Sequence, residues 1–340
     1  VMNALNIIKK LGINFTKKGK IYKIQGFGIN GFNYKKNITI DAGNSGTLAR
    51  LILGLLIKSK YSIKLKGDKS LSKRDFYRVI RPLKLLGANI ESNNNLLPIK
   101  ILGTDFLRPI EYDEKIGSAQ VKSCIILSAL NTPGLTIINS KKSRNHTELM
   151  LKFLKYPIKV KSTKTNDKIF IKGQEEFNAF KYKIPGDISS AAFFIVLTLL
   201  SENSQITIKN INVNKTRIGI ITILNKMGAG IVLKNKKLYN GEEIADIFVR
   251  SKKNLKGVNC PSTLNSSAID EFLIIFLAAA KANGTSKFRN LGEMNKKESK
   301  RLDLGIKFLK LIGIRVERIE NDLKIYGNPE INLSGNFEVK

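Results

Sequence analysis

The sequence is poor in side chains that hold metal ions or form disulfides. It contains one histidine, His146, and two cysteines, Cys124 and Cys260. A lone imidazole excludes a histidine metal cluster, so we interpret His146 as a helix-capping or interface residue. Two thiols so far apart exclude a disulfide framework and favour a reducing compartment. We expect Cys124 in the core, Cys260 in a loop, no cysteine nucleophile and no metal site.

Long hydrophobic runs are also missing. No stretch of about 18 apolar residues occurs, which predicts a protein without a membrane span. The first residues fit an amphipathic helix rather than a signal or transit peptide, so we expect a cytoplasmic protein. Because the chain opens with Val1 inside that helical pattern, we also expect its N-terminus to have been cut.

Acidic residues are scarce: 27 Asp and Glu stand against 59 Lys and Arg, for a net charge of +32. This excess suggests a nucleic-acid-binding protein, but the lysines are spread evenly and no zinc-finger or RNA-recognition pattern occurs. Small anionic substrates are the better interpretation. Nucleic-acid binding stays as an alternative, which would require Arg74, Arg144 and Arg301 to form a flat exposed stripe rather than to converge.

The 340 residues, 42% of them hydrophobic, are enough for two domains with real cores. A helical pattern that ends in glycine and continues as a strand recurs at intervals of roughly 70 to 85 residues. The copies are Leu11-Gly12-Ile13-Asn14-Phe15, Leu86-Gly87-Ala88-Asn89-Ile90, Met227-Gly228-Ala229-Gly230-Ile231, Ile312-Gly313-Ile314-Arg315-Val316 and, with Pro157 in place of glycine, Leu154-Lys155-Tyr156-Pro157-Ile158. This period predicts a repeated compact α/β unit.

A Gly-x-Gly-x-x-Gly motif spans Gly26 to Gly31. In dinucleotide-binding proteins this motif opens a helix. Here the residues that follow, 32–40, have a strand pattern. We therefore predict a glycine-rich hairpin turn and no nucleotide cofactor.

Polar segments precede several apolar helical patterns. Asn44 or Ser45 can cap one helix, while Gly43 and Gly46 would let an anion reach its N–H groups. Arg74 stands near the start of a second helix, where cations oppose the helix dipole and need an anion or a carboxylate. The side chains expected to face inward from that helix are Phe76, Val79, Ile80, Leu83 and Leu86.

Ser118 can cap a third helix, or its hydroxyl and the Gln120 amide can bind a substrate. The second half of the chain begins at Pro185-Gly186, before an apolar helix over 191–200 that we expect to be deeply buried. Asp270 and Glu271 precede another apolar helix, either as first-turn acids or as carboxylates facing a cleft.

The segment Asn295–Arg301 is expected to open a helix with Leu302, Ile306 and Leu309 on its apolar face. Glu298 would lie in the first turn between Lys297 and Arg301, as a proton-transfer group beside two cations. A solvated charged turn is the simpler interpretation.

Taken together, these segments resemble the enolpyruvyl transferase family, and within it 5-enolpyruvylshikimate-3-phosphate (EPSP) synthase. Seven motifs carry the resemblance in the family's order and span nearly the whole chain. They are Gly43-Asn44-Ser45-Gly46-Thr47, Gly67-Asp68 through Arg74, Ser118-Ala119-Gln120-Val121-Lys122-Ser123, Ser143-Arg144-Asn145-His146-Thr147-Glu148, Pro185-Gly186-Asp187-Ile188-Ser189-Ser190, Ile269-Asp270-Glu271, and Lys297-Glu298-Ser299 with Arg301. UDP-N-acetylglucosamine enolpyruvyl transferase is a second candidate, but it uses a loop cysteine and lacks the last motif.

The resemblance implies an α/β fold of two domains, an inside-out α/β barrel built from βαβαββ units around a pseudo-threefold axis. The first domain would cover 1–183 and the second 184–340, with the active site in the cleft between them. It also implies transfer of the enolpyruvyl group of phosphoenolpyruvate to the 5-hydroxyl of shikimate 3-phosphate, with release of phosphate, in the shikimate pathway to chorismate and the aromatic amino acids. We expect a monomer without cofactor, metal, nucleic acid or membrane partner, and sensitivity to glyphosate, since tolerance in the family accompanies alanine at Gly46.

Roles are carried over position by position. Shikimate 3-phosphate would contact Ser118, Ala119, Gln120, Ser143 and Arg144, with Lys297 on its phosphate side. Phosphoenolpyruvate would contact Gly46, Arg74, Gln120 and Arg301. Asp270 would take the proton of the 5-hydroxyl, and Glu298 would protonate the methylene carbon.

Two family segments have no counterpart in the chain: an opening Pro-Gly-Asp-Lys-Ser segment, and an Asp-His-Arg segment with a late lysine. Smaller departures are Asn295-Lys296, where Arg-Val is usual, and Lys300, where Asp is usual. The two segments supply cations to both anionic substrates. We therefore expect residues 1–340 alone to fold at best partly and to turn over substrate negligibly.

Overall fold

The computed structural model describes residues 2–296, 299–333 and 338. The chain divides into two compact units, Val1–Phe180 (unit 1) and Lys181–Lys340 (unit 2). The sequence placed this division between residues 183 and 184. Each unit has its own buried apolar core, centred on residues such as Leu53 and Phe76 in unit 1 and Phe272 and Phe276 in unit 2.

Unit 1 alternates short helices and strands. In chain order they are α1 (Met2–Lys10), β1 (Asn14–Lys18), β2 (Ile21–Gln25), β3 (Ile38–Asp41), α2 (Gly46–Leu55), β4 (Ile63–Lys66), α3 (Tyr77–Leu85), β5 (Asn89–Ser92), β6 (Ile99–Leu102), β7 (Glu111–Glu114), α4 (Ala119–Ala129), β8 (Leu135–Lys141), α5 (His146–Phe153), β9 (Ile158–Ser162) and β10 (Asn166–Lys172). Single 3-10 turns lie at Gly28–Asn30 and Leu71–Lys73.

Two four-stranded sheets form the body of unit 1, with strand orders β3-β4-β6-β5 and β7-β8-β10-β9. In each sheet the first two strands are parallel and the other pairs are antiparallel. Each sheet therefore comes from one continuous βαβαββ segment. Strands β1 and β2 form a separate two-stranded sheet after α1. The order α1-β1-β2 matches the last three elements of such a segment.

The βαβαββ order recurs twice in unit 2, each time with a short bridge in place of the first strand. Its elements are α6 (Ile188–Leu200), β11 (Gln205–Asn212), α7 (Gly219–Lys226), β12 (Val232–Tyr239), β13 (Glu242–Arg250), α8 (Asn265–Ala268), α9 (Phe272–Ala280), β14 (Gly284–Phe288), α10 (Arg301–Leu311), β15 (Val316–Ile319) and β16 (Asp322–Gly327), with 3-10 turns at Ser262–Leu264 and Gly292–Lys296. The sheets have the orders β11-β13-β12 and β14-β16-β15. Short parallel bridges stand where each first strand would be: Gly186 with Ile211, Lys256 with Asn283, and Asn259 with Lys287.

The repeat that the glycines predicted is confirmed by how the second helix of each segment ends. Gly12, Gly87, Gly228 and Gly313 all have left-handed backbone, with φ between 83° and 103°. In each case the glycine N–H donates a hydrogen bond to the carbonyl three residues earlier, and the N–H of the next residue donates to the carbonyl five residues before it. This is the hydrogen-bond pattern that ends a helix at glycine. After α5, this position is held by Lys155 (φ 57°) rather than Pro157, so the sequence alignment of that copy was wrong by two residues.

Alternation along the strands explains where the lysines go. In β4, Ile63 and Leu65 are fully buried and Lys64 and Lys66 are exposed, and β6 repeats this pattern. One sheet face therefore packs on the helices and the other faces solvent. The inward residues expected for α3, from Phe76 to Leu86, are all buried, which confirms that prediction.

Two other predictions were wrong. Residues 31–37 are irregular and β3 starts only at Ile38, so the glycine-rich segment contains a 3-10 turn rather than a hairpin turn. Helix α6 is buried on one face only, because Phe193, Phe194 and Leu197 are 57–63% exposed. An apolar composition on all faces does not determine how many neighbours a helix has.

No single helix within the described ranges is long and apolar enough to cross a membrane. Residues Ser262–Ala268 and Phe272–Ala280 reach the required length and composition together, but the two pieces meet at 119°. Most of Phe272–Ala280 is buried inside unit 2.

Candidate functional site

The described residues to which the resemblance assigns a role lie at the starts of helices or in the loops just before them. In unit 1 they follow the carboxyl ends of the parallel strands β3, β4, β7 and β8, where helices or 3-10 turns begin. Helix N-termini present free N–H groups and a partial positive charge. Anion-binding side chains at these junctions would therefore act together with the backbone.

Gly46 is the first residue of α2 and is buried. Ser45 caps the helix by accepting a hydrogen bond from the Leu48 N–H at 3.2 Å, as predicted. A Cβ atom at Gly46 would lie 2.7 Å from Nη1 of Arg74 and 2.8 Å from Nη1 of Arg50. Two guanidinium groups therefore flank the bare backbone at the start of α2.

Gly43 has a different role from the one we expected. Its φ of 56° is left-handed, its N–H donates to Asp41 Oδ1 at 2.8 Å, and a Cβ there would meet the Asn3 side chain at 2.1 Å. The turn and this packing account for the glycine without an anion. Only Gly46 of the two glycines stands beside cations.

Gln120, in the first turn of α4, joins this group. Its Nε2 donates to Thr47 Oγ1 at 2.8 Å, and its Oε1 accepts from Arg50 Nη1 at 3.1 Å. Arg50 also lies over the Phe76 ring, 4.9 Å from the ring centre. The structure thus brings Gly46, Arg74 and Gln120 together around the start of α2, and Arg50 sets the orientation of the Gln120 amide.

The loop before α4 is shaped by a buried carboxylate. Glu114 accepts hydrogen bonds from the N–H groups of Ile116 and Gly117 at 3.2 and 2.7 Å. Ser118 then caps α4 through the Val121 N–H at 3.4 Å, and Ala119 is the first helical residue. The Ser118 hydroxyl therefore has a capping role, and Ser118 precedes Gln120 by two residues.

Ser143 and Arg144 precede α5, whose N-cap position is held by Asn145 and whose first residue is His146. The Ser143 side chain is buried, and its Oγ has no hydrogen-bond partner within residues 2–296, 299–333 and 338. The Ser143 hydroxyl is therefore available to bind a ligand or a water molecule. Arg144 is half-buried.

In unit 2 the structure brings Asp270 and Arg301 together. Asp270 lies at the break between α8 and α9, and Arg301 is the first residue of α10. Arg301 Nη1 donates to Asp270 Oδ1 at 2.8 Å, and the two side chains are half-buried, at 21% and 24% exposed. Arg74, Arg144 and Arg301 are each half-buried, which does not fit a flat exposed stripe.

Beside Asp270 lies a network that the sequence analysis missed. Glu271 is 2% exposed and accepts a hydrogen bond from the Ser189 hydroxyl. Arg217 Nη2 contacts Ser189 Oγ at 2.5 Å, Asp187 Oδ1 at 3.2 Å and Glu271 Oε1 at 3.7 Å. These residues come from the starts of α6, α7 and α9, which are far apart in the sequence, so the sequence does not show that they meet. The available sign was that Asp187, Arg217 and Glu271 are charged residues at the starts of apolar helices.

The segment before α10 differs from the prediction in part. Helix α10 begins at Arg301, and Leu302 and Leu309 are buried as expected, with Ile306 packed against the core. Asn295, at a position where arginine is usual, caps the helix by accepting from the Leu302 N–H at 3.0 Å. Lys297 and Glu298, expected in the first turn, lie outside the described residues.

Both thiols are buried, and burial raises the pKa of Cys124 to about 12 and that of Cys260 to about 11. Thiols in this state are not nucleophiles near neutral pH. Cys124 lies in the core and Cys260 lies in an irregular segment before Pro261, both as predicted, and Cys260 is buried there. An enolpyruvyl transferase that depends on a reactive loop cysteine is therefore a poor match.

Comparison with known proteins extends these observations. The family model of EPSP synthase (3-phosphoshikimate 1-carboxyvinyltransferase) matches residues 1–336. A 3-phosphoshikimate 1-carboxyvinyltransferase from Ruthia magnifica subsp. Calyptogena magnifica is 43% identical over 328 residues, which are 96% of this chain and 74% of the relative. One of the same name from Thermoanaerobacter sp. (strain X514) is 39% identical over 328 residues, covering 96% and 76%.

A solved structure of EPSP synthase from Acinetobacter baumannii is similar along the chain, with a TM-score of 0.83 and 35% identity. The match covers 97% of this chain and 74% of that one. The chain thus spans about three quarters of the length of the relatives it matches.

Proposed function

Because the chain belongs to the EPSP synthase family, we propose that it transfers the enolpyruvyl group of phosphoenolpyruvate to the 5-hydroxyl of shikimate 3-phosphate and releases phosphate. Family membership confirms the resemblance that the seven motifs indicated, and with it the two-domain enolpyruvyl transferase fold. The reaction serves the shikimate pathway to the aromatic amino acids.

The observation that carries the proposal is the cationic group around the start of α2. Phosphoenolpyruvate has a phosphate and a carboxylate, and both need charge-assisted donors. Gly46 leaves room between the guanidinium tips of Arg50 and Arg74, and Gln120 lies within hydrogen-bond reach of the same group. We assign phosphoenolpyruvate to Gly46, Arg74 and Gln120 from unit 1 and to Arg301 from unit 2.

Shikimate 3-phosphate is assigned to the starts of α4 and α5. The buried Ser143 hydroxyl lacks a partner in the described chain, and Arg144 supplies a cation next to it. Ser118, Ala119 and Gln120 would contact the cyclohexene ring and its phosphate from the start of α4. Lys297 would act on the phosphate side.

The chemistry requires a proton to be moved at two atoms. Glu298 would protonate the methylene carbon of phosphoenolpyruvate, which makes the adjacent carbon electrophilic, and Asp270 would take the proton of the attacking 5-hydroxyl. Phosphate then leaves, and the new methyl group would return a proton to the Glu298 carboxylate, which restores the enol ether. Arg301 Nη1, 2.8 Å from Asp270 Oδ1, would hold the Asp270 carboxylate in place.

The proposal includes a monomeric, cytoplasmic enzyme without a nucleic-acid partner. Two unpaired, buried cysteines are consistent with a reducing compartment. The half-buried arginines of the candidate site are suited to small anions rather than to a polyanion surface.

Two measurements test the proposal, on a protein extended by the two family segments that have no counterpart in residues 1–340: calorimetric binding of shikimate 3-phosphate, and phosphate release from phosphoenolpyruvate in its presence. Arg74→Ala should raise the KM or Kd for phosphoenolpyruvate roughly 10- to 100-fold, because it removes a charge-assisted contact of about 1.5–3 kcal/mol. Lys84→Ala, which removes an exposed cation from α3, is the matched control. A protein that binds neither substrate, or an Arg74→Ala variant that matches the control, would contradict it.

A further inference from the structure

The most deeply buried ion pair among the described residues joins the two helices whose starts are assigned to shikimate 3-phosphate. Nζ of Lys122, on α4, lies 2.7 Å from Oε1 of Glu148, on α5. The two side chains are 0% and 3% exposed. Neither charged group has another hydrogen-bond partner in the part of the chain that the structure describes.

Stability alone does not account for such a pair. Taking an amine and a carboxylate out of water costs more than their attraction commonly returns, and apolar side chains of similar size often serve a core equally well. A buried pair does provide a fixed contact distance and direction. Its effect is then on the position of the two elements that carry it.

The location of the pair connects it to the site. Lys122 lies in the first turns of α4, and its N–H bonds to the Ser118 carbonyl at 3.0 Å. Glu148 lies in the first turn of α5, directly after the loop with Ser143 and Arg144. A second link runs parallel to the first, because the hydroxyls of Ser123 and Thr147 are 2.7 Å apart.

We propose that Lys122 and Glu148 are positioning residues that hold the starts of α4 and α5 at the separation shikimate 3-phosphate requires. The inference rests on the proposed function. Because the two charges cancel, the pair can fix this distance without adding net charge behind an anion site. The residues of unit 1 assigned to phosphoenolpyruvate lie on α2, α4 and the loop before α3, and none lies on α5. A shift of α5 should therefore weaken binding of shikimate 3-phosphate and leave that of phosphoenolpyruvate nearly unchanged.

The test is the double variant Lys122→Met/Glu148→Leu, which replaces the pair by apolar side chains and keeps the net charge. Its free energy of unfolding in urea should equal or exceed that of the original protein. Its Kd and KM for shikimate 3-phosphate should rise roughly tenfold or more through misplacement of Ser143 and Arg144, with the KM for phosphoenolpyruvate nearly unchanged. Lys168→Met/Glu111→Leu, at an exposed pair of the same unit, is the matched control.

Thr147→Val provides a second, milder variant that keeps the buried pair and removes the Ser123 link. It should raise the Kd for shikimate 3-phosphate about threefold without a matching change for phosphoenolpyruvate. A stable double variant with unchanged affinity, or an equal loss for both substrates, would overturn the positioning role. Failure of the unmodified protein to bind shikimate 3-phosphate would instead overturn the proposed function, and the inference with it.

Discussion

At the scale of single residues, Gly46 is where the start of α2 meets two arginines. Gly46→Ala would place a methyl group 2.7–2.8 Å from the guanidinium tips of Arg74 and Arg50, which must move away. We predict a KM for phosphoenolpyruvate raised roughly tenfold, with shikimate 3-phosphate affinity little changed. Steady-state kinetics measures both values. The control is Gly26→Ala, where a Cβ meets no atom within 4 Å.

The same variant tests the glyphosate expectation. If the inhibitor occupies the space beside Gly46, Gly46→Ala should lose inhibition by glyphosate together with affinity for phosphoenolpyruvate. Inhibition that persists unchanged in this variant would show that the added methyl group does not narrow the inhibitor's site.

Of the single substitutions, we expect replacement of Glu298 to reduce turnover most. In the protein extended by the two missing family segments, Glu298→Gln should slow turnover by roughly 100-fold or more, because the amide cannot donate a proton to carbon, while binding of both substrates stays nearly intact. Single-turnover kinetics and calorimetry separate the two effects. Glu293→Gln removes a carboxylate from the neighbouring 3-10 turn and is the control. Equal turnover in the two variants would exclude Glu298 from proton transfer.

At the scale of elements, α5 ends differently from the corresponding helices of the other repeats, because the closing position after it is held by lysine instead of glycine. Lys155 adopts the left-handed conformation that glycine adopts after α1, α3, α7 and α10. A side chain there costs roughly 1–2 kcal/mol, partly offset by the lower chain entropy of a non-glycine residue. Lys155→Gly should therefore raise the free energy of unfolding by about 0.5–1 kcal/mol in urea denaturation.

Lys152→Gly is the control for that change, because it places glycine inside α5 three residues earlier. It should lower the free energy of unfolding by about 1 kcal/mol. If both variants shifted stability in the same direction, the conformational explanation of the closure would be wrong.

The start of α10 should respond to acid. A hydrogen bond from Asn295, and then the Arg318 guanidinium 2.6 Å away, lower the pKa of the Asp303 carboxyl below 3.8. A carboxyl with a lower pKa in the folded chain contributes stability that is present above its unfolded pKa and is lost as pH falls through the folded value. Asp303→Asn should thus lower Tm at pH 7 but have no such effect once the pH lies below the folded pKa of Asp303.

Because Asp303 is 39% exposed, the effect should stay under about 1 kcal/mol. Asp105→Asn, at an exposed carboxylate of unit 1, is the control for lost charge. A Tm difference that is independent of pH would contradict the assignment of the shift to ionisation.

Elements show what a sequence can and cannot predict. Caps and closures were predictable because they are local: Ser45, Ser118 and the four glycines each act within a few residues. The pairing of Arg217 with Glu271 was not, because it joins helix starts 54 positions apart in sequence. The exposed face of α6 was missed for the same reason, since burial depends on which elements surround a helix.

At the scale of the whole molecule, the net charge of +32 opposes compaction through self-repulsion. Raising NaCl from about 20 mM to about 200 mM shortens the screening length and should raise Tm. The same screening should weaken binding of the anionic substrate shikimate 3-phosphate. Differential scanning fluorimetry and calorimetry at matched salt concentrations measure the two trends. A Tm that fell with salt would indicate that attractive pairs outweigh the repulsion.

The burial of both cysteines makes the chain easy to label at a chosen point. Maleimide reagents attack thiolates, and Cys124 and Cys260, with pKa values of about 12 and about 11, present almost none near neutral pH. An exposed thiol titrates near about 8.5. Lys152→Cys would therefore take up a dye or a surface tether selectively. It lies in the last turn of α5, at the opposite end of that helix from Ser143 and Arg144, so substrates could reach an immobilised protein.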